Sequence, residues 1–317
     1  MVARGVADIQ TELEVKHLDD LLHWISPLNV SYRQSYLNAC GMGCQDTGSW
    51  LLENPEYKEW RDGDGDARLC VSGPAGSGKT VLSAVILQDL HNRLNYDEGS
   101  PASEKTTTCV LYFYLDLRDA YKNSTAGFYD GLVRQLLHYN PLGYAEILEL
   151  AKKNHRMHPD AEEYVRLVLV LIKEVLTSSN VFLVIDGCDR QECKDFEALL
   201  DMLALWGTSL FKVHDAGNTN TPGSDRKGHW KMLATSRSYS EIQHLYSTEV
   251  RLLEYPLAVT EDIQRYVEEQ IQALSEAARH AMGEKLLKKN IKQSSSKVTD
   301  CELQPGLPCF PSLPQLR

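Results

Sequence analysis

The sequence lacks any apolar run long enough to cross a membrane. Its longest such stretch, Leu167 to Ile172, stops at Lys173, whereas a membrane-spanning helix needs about 20 apolar residues. The N-terminal segment is polar and has no apolar core of the kind that a secretory signal requires. We therefore expect no contact with membranes and a cytoplasmic protein.

The sequence also lacks an excess of basic residues. It has 33 Lys and Arg against 44 Asp and Glu in 317 residues, a formal net charge of −11. Proteins that bind the nucleic-acid backbone are normally basic, so this balance argues against nucleic acid as a partner. The eight cysteines show no zinc-ligand spacing, and in a reducing compartment we expect them to be thiols.

What the sequence does have is a glycine-rich turn after a short apolar segment. The turn fits the pattern G-x-x-x-x-G-K-[ST] of a phosphate-binding loop, with residues Gly73, Pro74, Ala75, Gly76, Ser77, Gly78, Lys79 and Thr80. Glycines let backbone N–H groups approach phosphate oxygens. A helix beginning at Lys79 would direct its positive dipole end at the same anion. Lys79 would contact the β- and γ-phosphates, and the Thr80 hydroxyl would ligate Mg²⁺.

Two carboxylates follow another apolar segment. Val181 to Ile185 predicts a buried parallel strand that delivers Asp186 at its carboxyl end, the edge at which open α/β sheets bind ligands. We expect Asp186 to hold Mg²⁺ together with Thr80. Asp189 is a catalytic candidate that positions or deprotonates the attacking water. The alternative, compatible with that role, is that Asp189 caps the following helix.

A further apolar segment, Trp230 to Ser236, predicts a strand that ends in a cation. Arg237 comes directly after it, so we expect this side chain at the same edge of the sheet. It is the second catalytic candidate, placed to register whether the γ-phosphate is present. The alternative is an ordinary surface arginine.

Strands alternating with helices predict an α/β fold, with an open parallel sheet flanked by helices. Helices are expected within Val6–Trp24, around Tyr57–Trp60, from Ser124 or Thr125, from Asp160 with Glu163 completing a capping box, and from Thr260. We divide the chain into a helical N-terminal flank (1–66), a P-loop NTPase core (67–255), the start of a helical lid (256–290) and a disordered tail (291–317). The regularly spaced prolines of the tail leave a polyproline-type ligand as the alternative.

The order of these parts resembles the NACHT domain of the STAND class of P-loop NTPases. Within that class the sequence is most similar to the nephrocystin-type N-terminal NTPase domain of fungal proteins. The segments that carry the resemblance lie between residues 20 and 275, and include Thr47-Gly48-Ser49-Trp50, the loop Gly73–Thr80, Asp186-Gly187-Cys188-Asp189 and Thr235-Ser236-Arg237. The resemblance implies that the Thr-Ser-Arg strand lies between the loop strand and the Asp186 strand. It also implies ATP or GTP with Mg²⁺ as cofactors, and a nucleotide-driven switch with protein partners or self-assembly. In fungi such proteins are linked to self/non-self recognition and programmed cell death.

Two departures from the family pattern affect the expected function. Arg190 follows Asp189 where the family often has Glu, which predicts slow or altered hydrolysis. The helical lid is cut short, so we expect either a stand-alone remnant or a misread frame in the Pro-rich tail. We predict a nucleotide-binding switch that binds ATP or GTP with Mg²⁺ and hydrolyses it slowly. A non-catalytic nucleotide-binding scaffold or truncated remnant is the alternative. A small-molecule kinase fits less well, because the sequence has no compact arginine-rich lid.

Overall fold

The computed structural model describes residues 20–21, 23–25, 32–43, 46–96, 107–116, 119, 121–139, 143–154, 159–188, 228–237 and 242–273. Its strands are β1 (Ala67–Ser72), β2 (Thr107–Tyr114), β3 (Ser179–Asp186), β4 (Trp230–Ser236) and β5 (Thr248–Arg251). They form one sheet in the order β2-β3-β4-β1-β5, and every neighbouring pair is parallel. The carboxyl ends of all five strands therefore lie at one edge. This confirms the predicted α/β fold and the predicted position of β4 between β1 and β3.

Helices cover both faces of this sheet. They are α1 (Tyr32–Cys40), α2 (Ser49–Leu52), α3 (Pro55–Asp62), α4 (Lys79–Tyr96), α5 (Thr125–Tyr139), α6 (Gly143–Lys153), α7 (Ala161–Leu176) and α8 (Pro256–Ala273). Short 3₁₀ turns lie at Gln243–Leu245 and Leu252–Glu254. No described helix is both long enough and apolar enough to cross a bilayer.

The central strands are buried on both faces, and alternate side chains enter two separate apolar layers. In β2, Leu111 and Phe113 pack with α5, α6 and α7. Tyr112, between them, packs with α1, α3 and α4 on the other face. Side chains of a strand point alternately to opposite faces, so a strand covered on both sides reads as an unbroken apolar run. This is why β3 and β4 were recognisable from the sequence.

Two of the long helices begin at capping residues, as predicted from the sequence. Asp160 accepts a hydrogen bond from Glu163 N–H at 2.9 Å, and Asp160 N–H donates to the Glu163 carboxylate at 3.2 Å. This is the capping box expected at the start of α7. At the start of α5, Ser124 Oγ accepts from Gly127 N–H at 3.1 Å, so Ser124 and not Thr125 is the capping residue.

Other boundaries differ from the predictions. The last described helix begins at Pro256 and not at Thr260, because proline fits the first turn of a helix, where no N–H partner is needed. The residues Val250 to Leu253, whose apolar character predicts a last short strand, form a strand only to Arg251, and Leu252 starts a 3₁₀ turn. Helices α1 and α6 were not predicted. The predicted helix after Asp189, the tail 291–317 and most of Val6–Trp24 lie outside the described residues.

A buried lysine interrupts the apolar pattern of β4. Lys231 in β4 is 2% exposed, at the end of the sheet opposite the glycine-rich loop. Its Nζ donates to the carbonyl of Trp60 at 2.9 Å and to the carbonyl of Gly63. Burial lowers the pKa of Lys231, an effect partly offset by nearby carboxylates such as Asp62. The amino end of β4 is therefore fixed to the C-terminal end of α3.

Candidate functional site

The loop between β1 and α4 is a cradle of backbone groups at the carboxyl edge of the sheet. Gly76 and Gly78 have φ angles of 80° and 88°, in the left-handed region that favours glycine. A Cβ on Gly78 would meet no heavy atom within 4 Å, so the backbone conformation and not crowding requires glycine there. Gly73 N–H donates to the carbonyl of Ser236 at 3.0 Å. This bond fixes the start of the loop to the end of β4.

The lysine of this motif contacts the backbone of its own loop. Lys79 is the first residue of α4, so the N–H groups of the first helical turn face the loop. Lys79 Nζ donates to the carbonyls of Gly73 and Pro74, both at 2.8 Å. An anion held by the loop would therefore have a cation and a helix N-terminus beside it.

The side chain of Ser77 tests whether the loop fits a phosphate. Ser77 is 4% exposed, and its Oγ has no hydrogen-bond partner among the described residues. Leaving a buried polar group unpaired costs about 1–3 kcal/mol. A phosphate oxygen in the loop would provide the missing partner, so the donors present fit a phosphate group.

Next to the loop, a buried hydrogen-bond network surrounds Asp186. Thr80 Oγ1 donates to Asp186 Oδ2 at 2.8 Å. Thr235 Oγ1 donates to Asp186 Oδ1 at 2.7 Å and accepts from Gly187 N–H at 3.0 Å. Asp186 is 3% exposed and Thr235 is fully buried. Carboxylate and hydroxyl oxygens are hard ligands of the kind that Mg²⁺ binds, so Thr80 and Asp186 together fit a magnesium ion.

The position of Thr235 follows from the order of the strands. Neighbouring strands lie about 4.8 Å apart, so β1 and β3 are separated by roughly 10 Å, with β4 between them. The end of β4 is therefore the floor between the loop and Asp186. Sequence analysis did not assign a role to Thr235. The available signal was a polar pair, Thr235-Ser236, at the end of an otherwise apolar strand.

Of the two catalytic candidates, the structure describes Arg237. Arg237 comes directly after β4, at the same edge as the loop, and its side chain is exposed. Its proposed role towards the γ-phosphate stays a prediction. Asp189 lies outside the described residues, as does Arg190, so their roles in hydrolysis also stay predictions.

A cavity of about 270 Å³ adjoins the loop. Its walls come from the segment before β1, from the loop and the first turn of α4, and from α8. The lining residues are Met42, Thr47, Trp50, Ser77, Gly78, Val81, Leu82, Val259, Asp262, Ile263 and Tyr266. Most are apolar, and a few polar groups lie among them, which is the usual make-up of a small-molecule site.

Asp262 is the carboxylate of this cavity, and sequence analysis did not identify it. It is 9% exposed, and its Oδ2 accepts from Gly48 N–H and from Trp50 Nε1, both at 2.9 Å. Burial raises its pKa, and the two hydrogen bonds act in the opposite direction. The signal in the sequence was weak, because an acid in the first half of an amphipathic helix is usually a solvated residue.

A parallel α/β sheet, a glycine-rich loop leading into a helix, and a threonine–aspartate pair beside it define the P-loop NTPase class. Residues 46–237 match the model of the family described as nephrocystin 3, N-terminal. This match covers more than half of the chain, so the protein belongs to that family of NACHT/nephrocystin-type NTPase domains. The resemblance drawn from the sequence is confirmed.

Two further comparisons concern single proteins. The vegetative incompatibility protein HET-E-1 of Podospora anserina is 24% identical over 170 residues. These residues are 50% of this chain but 11% of that protein, so the chain spans about a tenth of the length of this relative. The solved structure of the Aeropyrum pernix Orc1 protein in complex with DNA is 11% identical, with a TM-score of 0.42 over 70% of this chain and 48% of that chain. A likeness at this level carries no argument about what this protein binds.

Proposed function

We propose that the protein is a nucleotide-binding switch module that binds ATP or GTP with Mg²⁺ and hydrolyses it slowly. The single observation that carries the proposal is the 2.8 Å hydrogen bond between Thr80 and Asp186. It connects the end of the phosphate-binding loop, which follows β1, with the carboxylate at the end of β3. These two strands are not neighbours in the sheet, because β4 lies between them. A threonine and an aspartate in this arrangement can bind the metal ion of a nucleoside triphosphate.

Different groups of the site would bind different parts of the Mg²⁺-bound triphosphate. The backbone N–H groups of Ala75, Gly76 and Gly78 and the Ser77 hydroxyl would donate to phosphate oxygens, while Lys79 would contribute a charge-assisted contact. Thr80 and Asp186 would hold Mg²⁺, which neutralises charge on the β- and γ-phosphates when it is bound. Thr235 would keep the Asp186 carboxylate in one orientation.

The cavity beside the loop would take the nucleoside. Its apolar walls suit the faces of a purine, and Thr47 and Tyr266 offer polar groups to its edges. The cavity is open to the loop through Ser77 and Gly78, which line both. A ligand with a planar apolar ring at one end and phosphates at the other therefore matches the combined site.

A switch needs contacts that differ between the triphosphate and diphosphate forms, and it does not need rapid turnover. Arg237 at the edge of the sheet would supply such a contact. The similarity to a vegetative incompatibility protein supports a role in cytoplasmic signalling of the self/non-self recognition type. That role would involve protein partners or self-assembly.

The second candidate function is a scaffold that binds nucleotide without hydrolysing it. It is favoured by Arg190, which follows Asp189 in the sequence and would bring a positive charge close to the acid that would act on water. Release of phosphate by the purified protein separates the two functions. Binding without any release would support the scaffold.

The binding proposal is tested by calorimetry with Lys79→Ala. Hydrogen bonds to charged groups contribute about 1.5–3 kcal/mol, so we expect the affinity for Mg·ATP or Mg·GTP to fall roughly 10- to 150-fold. Lys152→Ala is the matched control, since Lys152 is an exposed lysine of α6 that pairs only with Glu149 in its own helix among the described contacts. Equal affinity in the wild type and the Lys79 variant would refute the assignment of the loop.

The metal assignment is tested with Asp186→Asn. We expect this variant to lose the increase in nucleotide affinity that Mg²⁺ gives the wild type, while it keeps binding in the absence of the metal ion, because the loop is unchanged. A titration of Mg²⁺ at constant nucleotide concentration measures this. The same Mg²⁺ response in both proteins would contradict the role of Asp186.

A further inference from the structure

Asp262 joins two parts of the chain that are far apart in sequence. It lies in the second turn of α8, and both hydrogen bonds to its Oδ2 come from the segment around α2, 214 and 212 residues away. One donor is the backbone N–H of Gly48, which is in a left-handed conformation with φ 73°. The other is the indole N–H of Trp50. The carboxylate thus binds the turn at residues 46–50, hereafter the flank turn.

Further contacts make the same connection. Arg265, one turn after Asp262, donates to the carbonyl of Asp46 at 3.2 Å. The ring of Trp50 stacks on Tyr255, just before α8, with centroids 5.0 Å apart and an angle of 26° between the planes. The flank turn and α8 are therefore held together by several separate contacts. Asp262 is the buried acceptor among them.

The cavity lies between these two parts. Thr47 and Trp50 of the flank turn line one side of it, and Val259, Asp262 and Tyr266 of α8 line another. The phosphate-binding loop forms a third side through Gly78. A ligand in the cavity would touch both parts that Asp262 connects, so it would bind best when they are docked.

We propose that Asp262 is a positioning residue that couples nucleoside binding to the docking of α8 on the flank turn. The proposal rests on the proposed function, since it requires a nucleotide in the combined site. Coupling of this kind is reciprocal. A nucleoside in the cavity stabilises the docked position of α8, and a docked α8 raises affinity for the nucleoside. The triphosphate part of the ligand, held by the loop, does not depend on this contact.

A carboxylate is suited to this position because it accepts two hydrogen bonds that no neutral aliphatic side chain could accept. Without it, Gly48 N–H and Trp50 Nε1 would each lose the acceptor they have in the structure. Buried donors without acceptors are costly, so the flank turn and α8 would separate more readily. The walls of the cavity would separate with them, while the loop between β1 and α4 would be unaffected.

The test compares two probes on the full 317-residue chain, by calorimetry in the presence of Mg²⁺. One probe is ATP or GTP, whichever the wild type binds more tightly, and the other is inorganic tripolyphosphate. For Asp262→Asn we expect about tenfold weaker binding of the nucleotide, the effect of weakening a hydrogen bond to a charged group. Affinity for tripolyphosphate should stay within about twofold. Glu269→Gln, the same change at an exposed residue of α8, should alter neither.

A second variant keeps the test valid if Asp262→Asn folds poorly. Trp50→Phe removes the indole N–H but keeps an aromatic ring on Tyr255, and we expect a few-fold loss of nucleotide affinity with no loss for tripolyphosphate. In the double variant, the combined loss should be smaller than the product of the two single losses, because both changes act on the hydrogen bond between Trp50 and residue 262.

The outcomes separate the two proposals. If the wild type binds neither probe, the proposed function fails and the coupling fails with it. If the wild type binds both probes and Asp262→Asn binds the nucleotide as well as the wild type does, the coupling alone is wrong. Equal losses for both probes would also overturn it, because they would mean that Asp262 supports the fold as a whole.

Discussion

Replacing Thr235 by valine removes one hydroxyl from the centre of the site with almost no change in shape. That hydroxyl donates to Asp186 at 2.7 Å and accepts from Gly187 N–H at 3.0 Å, and the threonine is fully buried. A hydrogen bond to a charged group contributes about 1.5–3 kcal/mol, and a buried N–H left unpaired costs about 1–3 kcal/mol. We therefore expect Thr235→Val to lower the free energy of unfolding by at least about 2.5 kcal/mol.

The assay is urea unfolding followed by tryptophan fluorescence, with Thr235→Ser as the matched control. Serine keeps the hydroxyl and loses one methyl group, which costs about 0.8 kcal/mol for transfer and rather more if a cavity remains. The serine variant should therefore be clearly more stable than the valine variant. It should also keep the Mg²⁺ dependence of nucleotide binding, whereas the valine variant should need several-fold more Mg²⁺. A valine variant as stable as the serine variant would refute this account of Thr235.

Three other changes test the fold. Gly48→Ala should lower the free energy of unfolding by about 1–2 kcal/mol or more, since Gly48 has φ 73° and a Cβ would lie 2.7 Å from Leu82 Cδ2; unchanged urea unfolding would contradict this. Asp160→Ala should cost about 1 kcal/mol by removing the cap of α7, and Asp160→Asn should restore most of it; equal losses would argue against capping. Lys231 has a pKa lowered from 10.5 by burial, so between its folded pKa and 10.5 the unfolded chain binds more protons. The stability of the wild type relative to Lys231→Met should therefore rise with pH through that window; a constant difference between pH 7 and pH 10 would contradict the shift.

The parts of the fold that were predictable from sequence are those specified by neighbouring residues. The loop from Gly73 to Thr80 was recognisable because a tight anion-binding turn demands particular residue types at fixed spacing. The strand ending in Asp186 was recognisable because burial on both faces requires an unbroken apolar run. The position of β4 between β1 and β3 was not encoded in any local pattern, and its prediction depended entirely on the resemblance to a family.

Long-range polar contacts could not be predicted in the same way. Gly48 and Asp262 are 214 residues apart, and nothing in either segment specifies the other as its partner. Lys231 is similar, since a lysine inside an apolar strand does not reveal which carbonyls will satisfy it. The start of α8 was predicted too late because Thr260 has the chemistry of a capping residue, although the backbone was already helical from Pro256.

The central position of β4 determines which parts of this molecule are free to move. Lys231 is tethered to α3 at one end of that strand and Thr235 is bonded to Asp186 at the other. Sliding or tilting the strand would break buried polar contacts at both ends at once. We therefore expect the middle of the sheet to stay rigid. We expect any rearrangement that accompanies the loss of a terminal phosphate to be confined to the rim, where helices and turns meet through contacts that can be released one at a time.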